Sequence, residues 1–175
     1  TDVTGLGDLD IKPGAKLIVD GALLTSSNCG LWSGIEVQGN SNLSQFTTGA
    51  QGRIDLKNGA IIEHARNAIT TIVTDTFDNW VWTGTGGIIQ ADSTTFRNNW
   101  RDIQMLSYHN KFPSGGATNN VSRFINCQFI TDTLLVDTAL KPIAHVTLFD
   151  VDGINFYGCK FLYQAGNNFQ LYQRR

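Results

Sequence analysis

Ile35, Ile69 and Ile103 stand 34 residues apart, and that recurrence limits the possible folds more than any other feature of the chain. Ile62 and Phe96 share the spacing, as do Asn58 and Asp92. Gly34-Ile-Glu-Val37, Ala68-Ile-Thr-Thr71 and Asp102-Ile-Gln-Met105 align as one short segment used three times. A second segment recurs as Gly21-Ala-Leu-Leu24, Gly59-Ala-Ile-Ile62, Ser93-Thr-Thr-Phe96, Asn126-Cys-Gln-Phe129 and Gly158-Cys-Lys-Phe161. A period of 34 also suits helical repeats, so the type of element must decide. Apolar residues alternate with period two at Leu17-Val19, Ile35-Val37, Ile54-Leu56 and Ile154-Phe156, which reads as strand. Thr, Val, Ile and Phe fill the segments, and Gly, Asn and Asp punctuate them, as strands and turns require.

Short strands in a repeating coil make a solenoid. Each coil buries its inward side chains only against its neighbours, and equivalent residues stack about 4.7–4.9 Å apart. About five coils fit, and residues 1–175 are read as one β-solenoid domain and as a candidate fragment of a longer chain. The inward set is Leu17, Val19, Leu24, Ile35, Val37, Leu56, Ile62, Ile69, Phe96, Ile103, Met105, Phe124, Phe129, Ile154, Phe156 and Phe161. Cys127 and Cys159 should share one column as small apolar groups, with Cys29 apart from them. Open solenoid ends expose strand edges, so neighbouring domains or a second copy are expected to cover them.

Composition narrows the function. The chain is 41% hydrophobic, too apolar for a disordered segment, yet only 16% charged. Eighteen Gly, 18 Thr and 15 Asn fill the polar surface. Few charges suit a solenoid, because like charges repeated every coil would repel along a column. Net charge is −2, which offers no basic footprint for nucleic acid. No uncharged apolar run approaches the ~18 residues of a membrane span. The surface composition leans towards an extracellular or cell-surface protein, although the first residues do not read as a signal peptide.

Some stretches resemble a known group. Ile11-Lys-Pro-Gly-Ala-Lys-Leu-Ile-Val-Asp-Gly21 looks like the opening coil of many right-handed parallel β-helices. Cys29-Gly-Leu-Trp-Ser-Gly-Ile-Glu-Val-Gln-Gly39, the stretch Gly52–Ile69 and the stretch His145–Phe161 resemble β-helix segments of large surface proteins of Bacteroidetes-type bacteria exported by type IX secretion. The resemblance implies a right-handed, pectate-lyase-like β-helix, as the general handedness of parallel crossovers also does. It implies no particular activity.

Candidate site residues fall into two sets. Trp32, Arg66 and Trp100 are successively 34 apart and should form one column, a cation between two indoles. Trp80 and Trp82 lie on one face of a nearby insertion. Exposed aromatic strips suit stacking on sugar rings, so these five are the expected ligand contacts of a non-catalytic adhesion or binding module for a polysaccharide. A polysaccharide lyase or glycoside hydrolase is the rival reading, using Asp150 and Asp152 with His145, or Arg97 and Arg101 near Asp102. Asp150, Asp152 and Asn155 could supply oxygens to a Ca²⁺ ion, and otherwise no cofactor is expected. His145 alternates with Val146 and should point outward. A structural spacer is the third possibility.

Overall fold

The structure is a computed structural model, and it describes residues 8–27, 30–75, 77, 79–136 and 141–164. Among these residues fifteen strands run in five rungs of three. The first rung is β1 (Asp8–Ile11), β2 (Lys16–Asp20) and β3 (Leu23–Leu24), and the second is β4 (Trp32–Val37), β5 (Arg53–Lys57) and β6 (Ile61–Glu63). The third is β7 (Ala65–Thr70), β8 (Ile88–Asp92) and β9 (Thr95–Arg97), and the fourth is β10 (Arg101–Tyr108), β11 (Arg123–Ile125) and β12 (Gln128–Thr131). The last is β13 (Ala144–Val151), β14 (Asn155–Tyr157) and β15 (Lys160–Tyr163). Every strand pairs in parallel with its equivalent one rung away, giving three five-stranded sheets ordered β1-β4-β7-β10-β13, β2-β5-β8-β11-β14 and β3-β6-β9-β12-β15. The chain is thus an all-β parallel solenoid, as its period implies, with one 3₁₀ turn at Trp82–Gly84.

Register turns the sequence repeat into columns. Ile35, Ile69, Ile103 and Val146 stack in the first sheet. Val19, Leu56, Ala91, Phe124 and Phe156 stack in the second. Leu24, Ile62, Phe96, Phe129 and Phe161 stack in the third. The interior between the sheets is filled by these columns. Phe96 lies 5.0 Å from Phe129 at 8°, and Phe129 lies 4.6 Å from Phe161 at 5°, so the period itself enforces ring stacking. The inward set is as expected, with one difference. Phe161 stays 51% exposed, because it belongs to the last described rung and no described residue stacks on its outer face. Cys127 is buried and Cys159 is half-buried beside it; both are free thiols, and burial pushes the Cys127 thiol up to about 12. Cys29 lies outside the described residues.

The turn between the second and third sheets needs one left-handed residue per rung. Gly21, Asn58, Ser93, Asn126 and Gly158 supply it, with φ between 51° and 62°. Gly and Asn tolerate this region best. The rungs also carry alternating charge on their outer faces. Lys57 Nζ bridges Asp20 at 3.0 Å, and Asp55 receives Lys16 at 2.5 Å and Arg53 at 2.6 Å.

One irregularity reshapes the first sheet. Gly34 opposes Asn67 but Ile35 opposes Ile69, so Ala68 is an extra residue on β7. Gly34 has φ 111°, and a Cβ there would lie 1.6 Å from the Asn67 carbonyl oxygen. Only glycine lets the two backbones approach so closely. Below the bulge two successive residues turn inward on each strand. Ala68 and Ile69 are both fully buried, Asp102 and Ile103 likewise, and His145 and Val146 are both half-buried. His145 therefore does not point outward. Its ring lies 6.3 Å from Phe129 and 6.1 Å from Phe161, because strict alternation fails at the bulge.

Candidate functional site

The chain departs from its period mainly where the first sheet passes to the second. Three long connections, 38–52, 71–87 and 109–122, leave successive rungs at this corner. They lock onto one another. Gly39 N donates to Gly84 O, and Ser41 N donates to Thr83 O. The buried Gln45 side chain donates to Gly86 O and Asn120 Oδ1, and accepts from Val121 N. Tyr108 Oη donates to Leu43 O at 2.8 Å, and burial pushes its hydroxyl up to about 12. Such a network holds loops rigid, although Asn120 Nδ2 is buried in it without a partner among the described residues.

The middle connection rises as a small hairpin. Thr74 and Trp80 form an antiparallel bridge, Val81 N donates to Val73 O, and Asp75 Oδ1 accepts from the Phe77 and Asn79 amides. Those two amide hydrogen bonds lead the causes that hold the Asp75 carboxyl below its ordinary value. The hairpin sets the Trp80 and Trp82 rings 5.6 Å apart, edge to face at 72°. They stay 51% and 49% exposed. Trp80 forms one wall of a groove of about 450 Å³ whose floor is the first sheet. Glu36 comes from β4, Arg66 and Asn67 from β7, and Arg101 and Gln104 from β10. Burial is the largest influence on Glu36 and raises its carboxyl, against the lowering effect of a 2.5 Å hydrogen bond from Gln38 Nε2. Burial also lowers the Arg101 guanidinium.

The structure divides the expected column of Trp32, Arg66 and Trp100. Arg66 Cζ lies 5.6 Å from the Trp100 ring centroid, and Arg101 Cζ lies 5.4 Å from it. Trp100 therefore carries two guanidiniums, one of them unforeseen. Trp32 has slipped out of line. The bulge at Gly34 pairs it with Ala65 instead of Arg66, its ring packs against the core, and its Nε1 donates to Glu63 O at 2.8 Å. The expected straight strip through Trp32 is thus absent: Trp80 and Trp82 form one aromatic pair on the hairpin, and Trp100 stands with Arg66 and Arg101 at the start of β10.

The catalytic candidates are dispersed. Asp150 and Asp152 lie on the outer surface with His109, not with His145: His109 Nδ1 is 2.6 Å from Asp152 and Nε2 is 3.0 Å from Asp150. Hydrogen bonds to these carboxylates, Asp152 first, raise the His109 pKa, while Ser107 and then His109 lower that of Asp150. His145 pairs instead with Asp102, Nδ1 to Oδ2 at 2.6 Å, and Asn99 Nδ2 donates to the other Asp102 oxygen at 2.7 Å. Burial dominates there and raises the Asp102 carboxyl. Arg97 does not face Asp102; its Nε and Nη2 both bond Glu63 Oε2, at 2.8 and 2.5 Å. Arg101 alone of this set reaches the groove. Asn155 Nδ2 turns to Gly153 O, and among the described residues no three or more His, Cys, Asp or Glu side chains converge as metal ligands would.

Sequence reasoning missed Phe46 and Phe112. They stack at 5.8 Å and 13° across two corner connections, beside a second hollow of about 350 Å³. Neither belongs to the repeat, so no periodic signal could have paired them.

These features define a class: a parallel β-solenoid with an aromatic, arginine-bearing groove at one corner. Comparison with family models, with curated proteins and with solved structures finds no match to this chain.

Proposed function

We propose that the chain is a secreted or cell-surface binding module whose ligand is a polysaccharide, held in the groove beside Trp80. The observation that carries this reading is the pair of half-exposed indoles on a hydrogen-bonded hairpin, of which Trp80 forms the groove wall and Trp82 packs edge to face against it. Two exposed tryptophans cost solubility unless they meet a partner. An indole is a flat apolar face with one polar handle, which suits a sugar ring whose axial C–H groups stack while its hydroxyls bond nearby amides. Asn67 and Gln104 are such amides, and about 450 Å³ lies in the usual range of ligand sites. The groove crosses three successive strands, as a chain-like ligand needs. Surface display in the manner of Bacteroidetes-type exported β-helices is the setting this reading favours, and it rests on the sequence resemblance.

A glycan array followed by calorimetry on the hits tests the proposal. Trp80→Ala and Trp82→Ala should each weaken binding about tenfold or more, as loss of a central aromatic contact does. Trp32→Ala should instead lower stability, because its ring is packed and hydrogen-bonded. Unchanged binding in both the Trp80 and Trp82 variants, or no glycan bound by the parent, would overturn the reading.

A further inference from the structure

Among the described residues five cations on or beside the strands are paired with a carboxylate. Lys12 bridges Asp10, Lys16 and Arg53 bridge Asp55, Lys57 bridges Asp20, and Arg97 bridges Glu63. Among the described residues Arg66 and Arg101 are not paired in this way, nor are Arg123 and Lys160, but the first two share a groove. Arg101 Nη1 donates to Asn67 Oδ1 at 3.2 Å, but its Nε is buried and no described group accepts its proton. An unsatisfied buried donor of this kind is costly and uncommon.

The surroundings deepen the anomaly. Both guanidiniums lie against one indole, Trp100, at 5.6 and 5.4 Å, so two like charges are brought to one ring. The indole attracts each cation, but it accepts no hydrogen bond from the in-plane N–H groups. Among the described residues Glu36 is the single acid lining the groove, and it accepts its short hydrogen bond from Gln38 instead of from either arginine. A groove assembled for stability alone would have closed these forks on a carboxylate, as Glu63 closes Arg97.

We infer that Arg66 and Arg101 are an anion-recognition pair, and that the groove takes a sugar bearing a carboxylate or a sulfate ester. This rests on the carbohydrate reading above and names its ligand class. A planar guanidinium donates two parallel hydrogen bonds to either oxyanion, and because Arg101 Nε is buried, the terminal Nη groups of Arg101 and Arg66 are the ones to supply them. The sugar ring then stacks on Trp80 while its charged group reaches the floor.

The test uses the intact chain at fixed ionic strength. Free galacturonate, sodium sulfate and glucose are titrated while the Arg101 Nε–H resonance is followed by NMR, and polygalacturonate, dextran sulfate and unmodified dextran are compared by calorimetry. A saturable shift of the Arg101 signal with galacturonate or sulfate, absent with glucose, is the expected result; whichever anion moves it identifies the group. Charged polymers should bind at least about tenfold tighter than dextran, and Arg66→Gln or Arg101→Gln should remove about that factor. Both variants should keep the parent's melting temperature within a few degrees, because neither arginine closes an ion pair. Equal binding of dextran and the charged polymers would overturn the inference and leave the carbohydrate reading standing. A shift with free anions but no polymer binding would overturn the carbohydrate reading and keep the anion pair. No shift with either anion would overturn the pair.

Discussion

Phe129→Ala should be among the most damaging single substitutions in the third sheet. The ring is fully buried, stacks on Phe96 at 5.0 Å and on Phe161 at 4.6 Å, and meets Phe124 at 6.1 Å. Truncating a buried phenylalanine costs roughly 3–5 kcal/mol, including the cavity left behind. With His145 at 6.3 Å and Phe156 at 6.1 Å as well, five ring contacts place this site at the upper end, about 4–5 kcal/mol, since each aromatic pair adds about 0.5–1.5 kcal/mol. Phe161→Ala removes the same atoms from the same column, but half of that ring already faces solvent and only one stack is lost. Its cost should be about 1.5–2 kcal/mol. For a chain of this size 1 kcal/mol is roughly 2–4 °C in Tm, so the two variants should melt about 4–14 °C apart. Chemical denaturation followed by circular dichroism gives both free energies. Equal costs at the two positions, or a Phe129→Ala cost under about 1.5 kcal/mol, would refute the idea that nearest-neighbour stacking in register holds the coil together.

Two further outcomes follow from local geometry. Ser93 is the residue least suited to the left-handed column it shares with Gly21, Asn58, Asn126 and Gly158, so Ser93→Gly should stabilise the protein by about 0.5–1 kcal/mol in urea melts. A loss of stability would mean that the hydrogen bond from Ser93 Oγ to Asp92 outweighs the backbone strain. His109 should titrate above its ordinary value of 6.5, because Asp152 and then Asp150 favour its charged form. With the native value raised, its contribution is complete below about 6.5 and is lost as pH rises through the native value. His109→Gln should therefore destabilise at pH 5.5 more than at pH 9, and a difference that is flat with pH, or an imidazole NMR midpoint at or below 6.5, would contradict the pairing.

How far the sequence reached can be read residue by residue. Leu24, Ile62, Phe96, Phe129 and Phe161 align in the primary structure at intervals of 38, 34, 33 and 32, and they align in space, because a stacked strand leaves its inward side chain no alternative column. Trp32 and His145 went astray for a common reason. Both depend on strict period-two alternation in the first sheet, and the bulge that Gly34 permits inserts one residue there. The glycine was visible in the sequence, but its φ of 111° and the approach of the Asn67 carbonyl are properties of the neighbouring rung. The groove was legible only in part. Arg66 and Trp100 met as their spacing implied, whereas Arg101 joined them from a strand position that alternation assigns to the interior.

The same contrast explains where a binding site can sit on such a scaffold. Residues inside the columns answer to two neighbours each, so a change at Ile69 disturbs Ile35 and Ile103 together. The corner connections answer to no column. Segment 71–87 can lengthen, carry Trp80 and Trp82 and still leave Ile88 paired with Arg53, because Gly87 passes close to Val37 and restores the register. A Cβ on Gly87 would lie 2.1 Å from the Val37 carbonyl oxygen, so this return is itself tightly specified. Loops placed by a rigid scaffold commonly carry recognition. Here the scaffold contributes as well: the arginines are fixed by the sheet and the indoles by the hairpin. Loss of the hairpin rings should therefore weaken every ligand, and loss of the arginines should weaken only the charged ones.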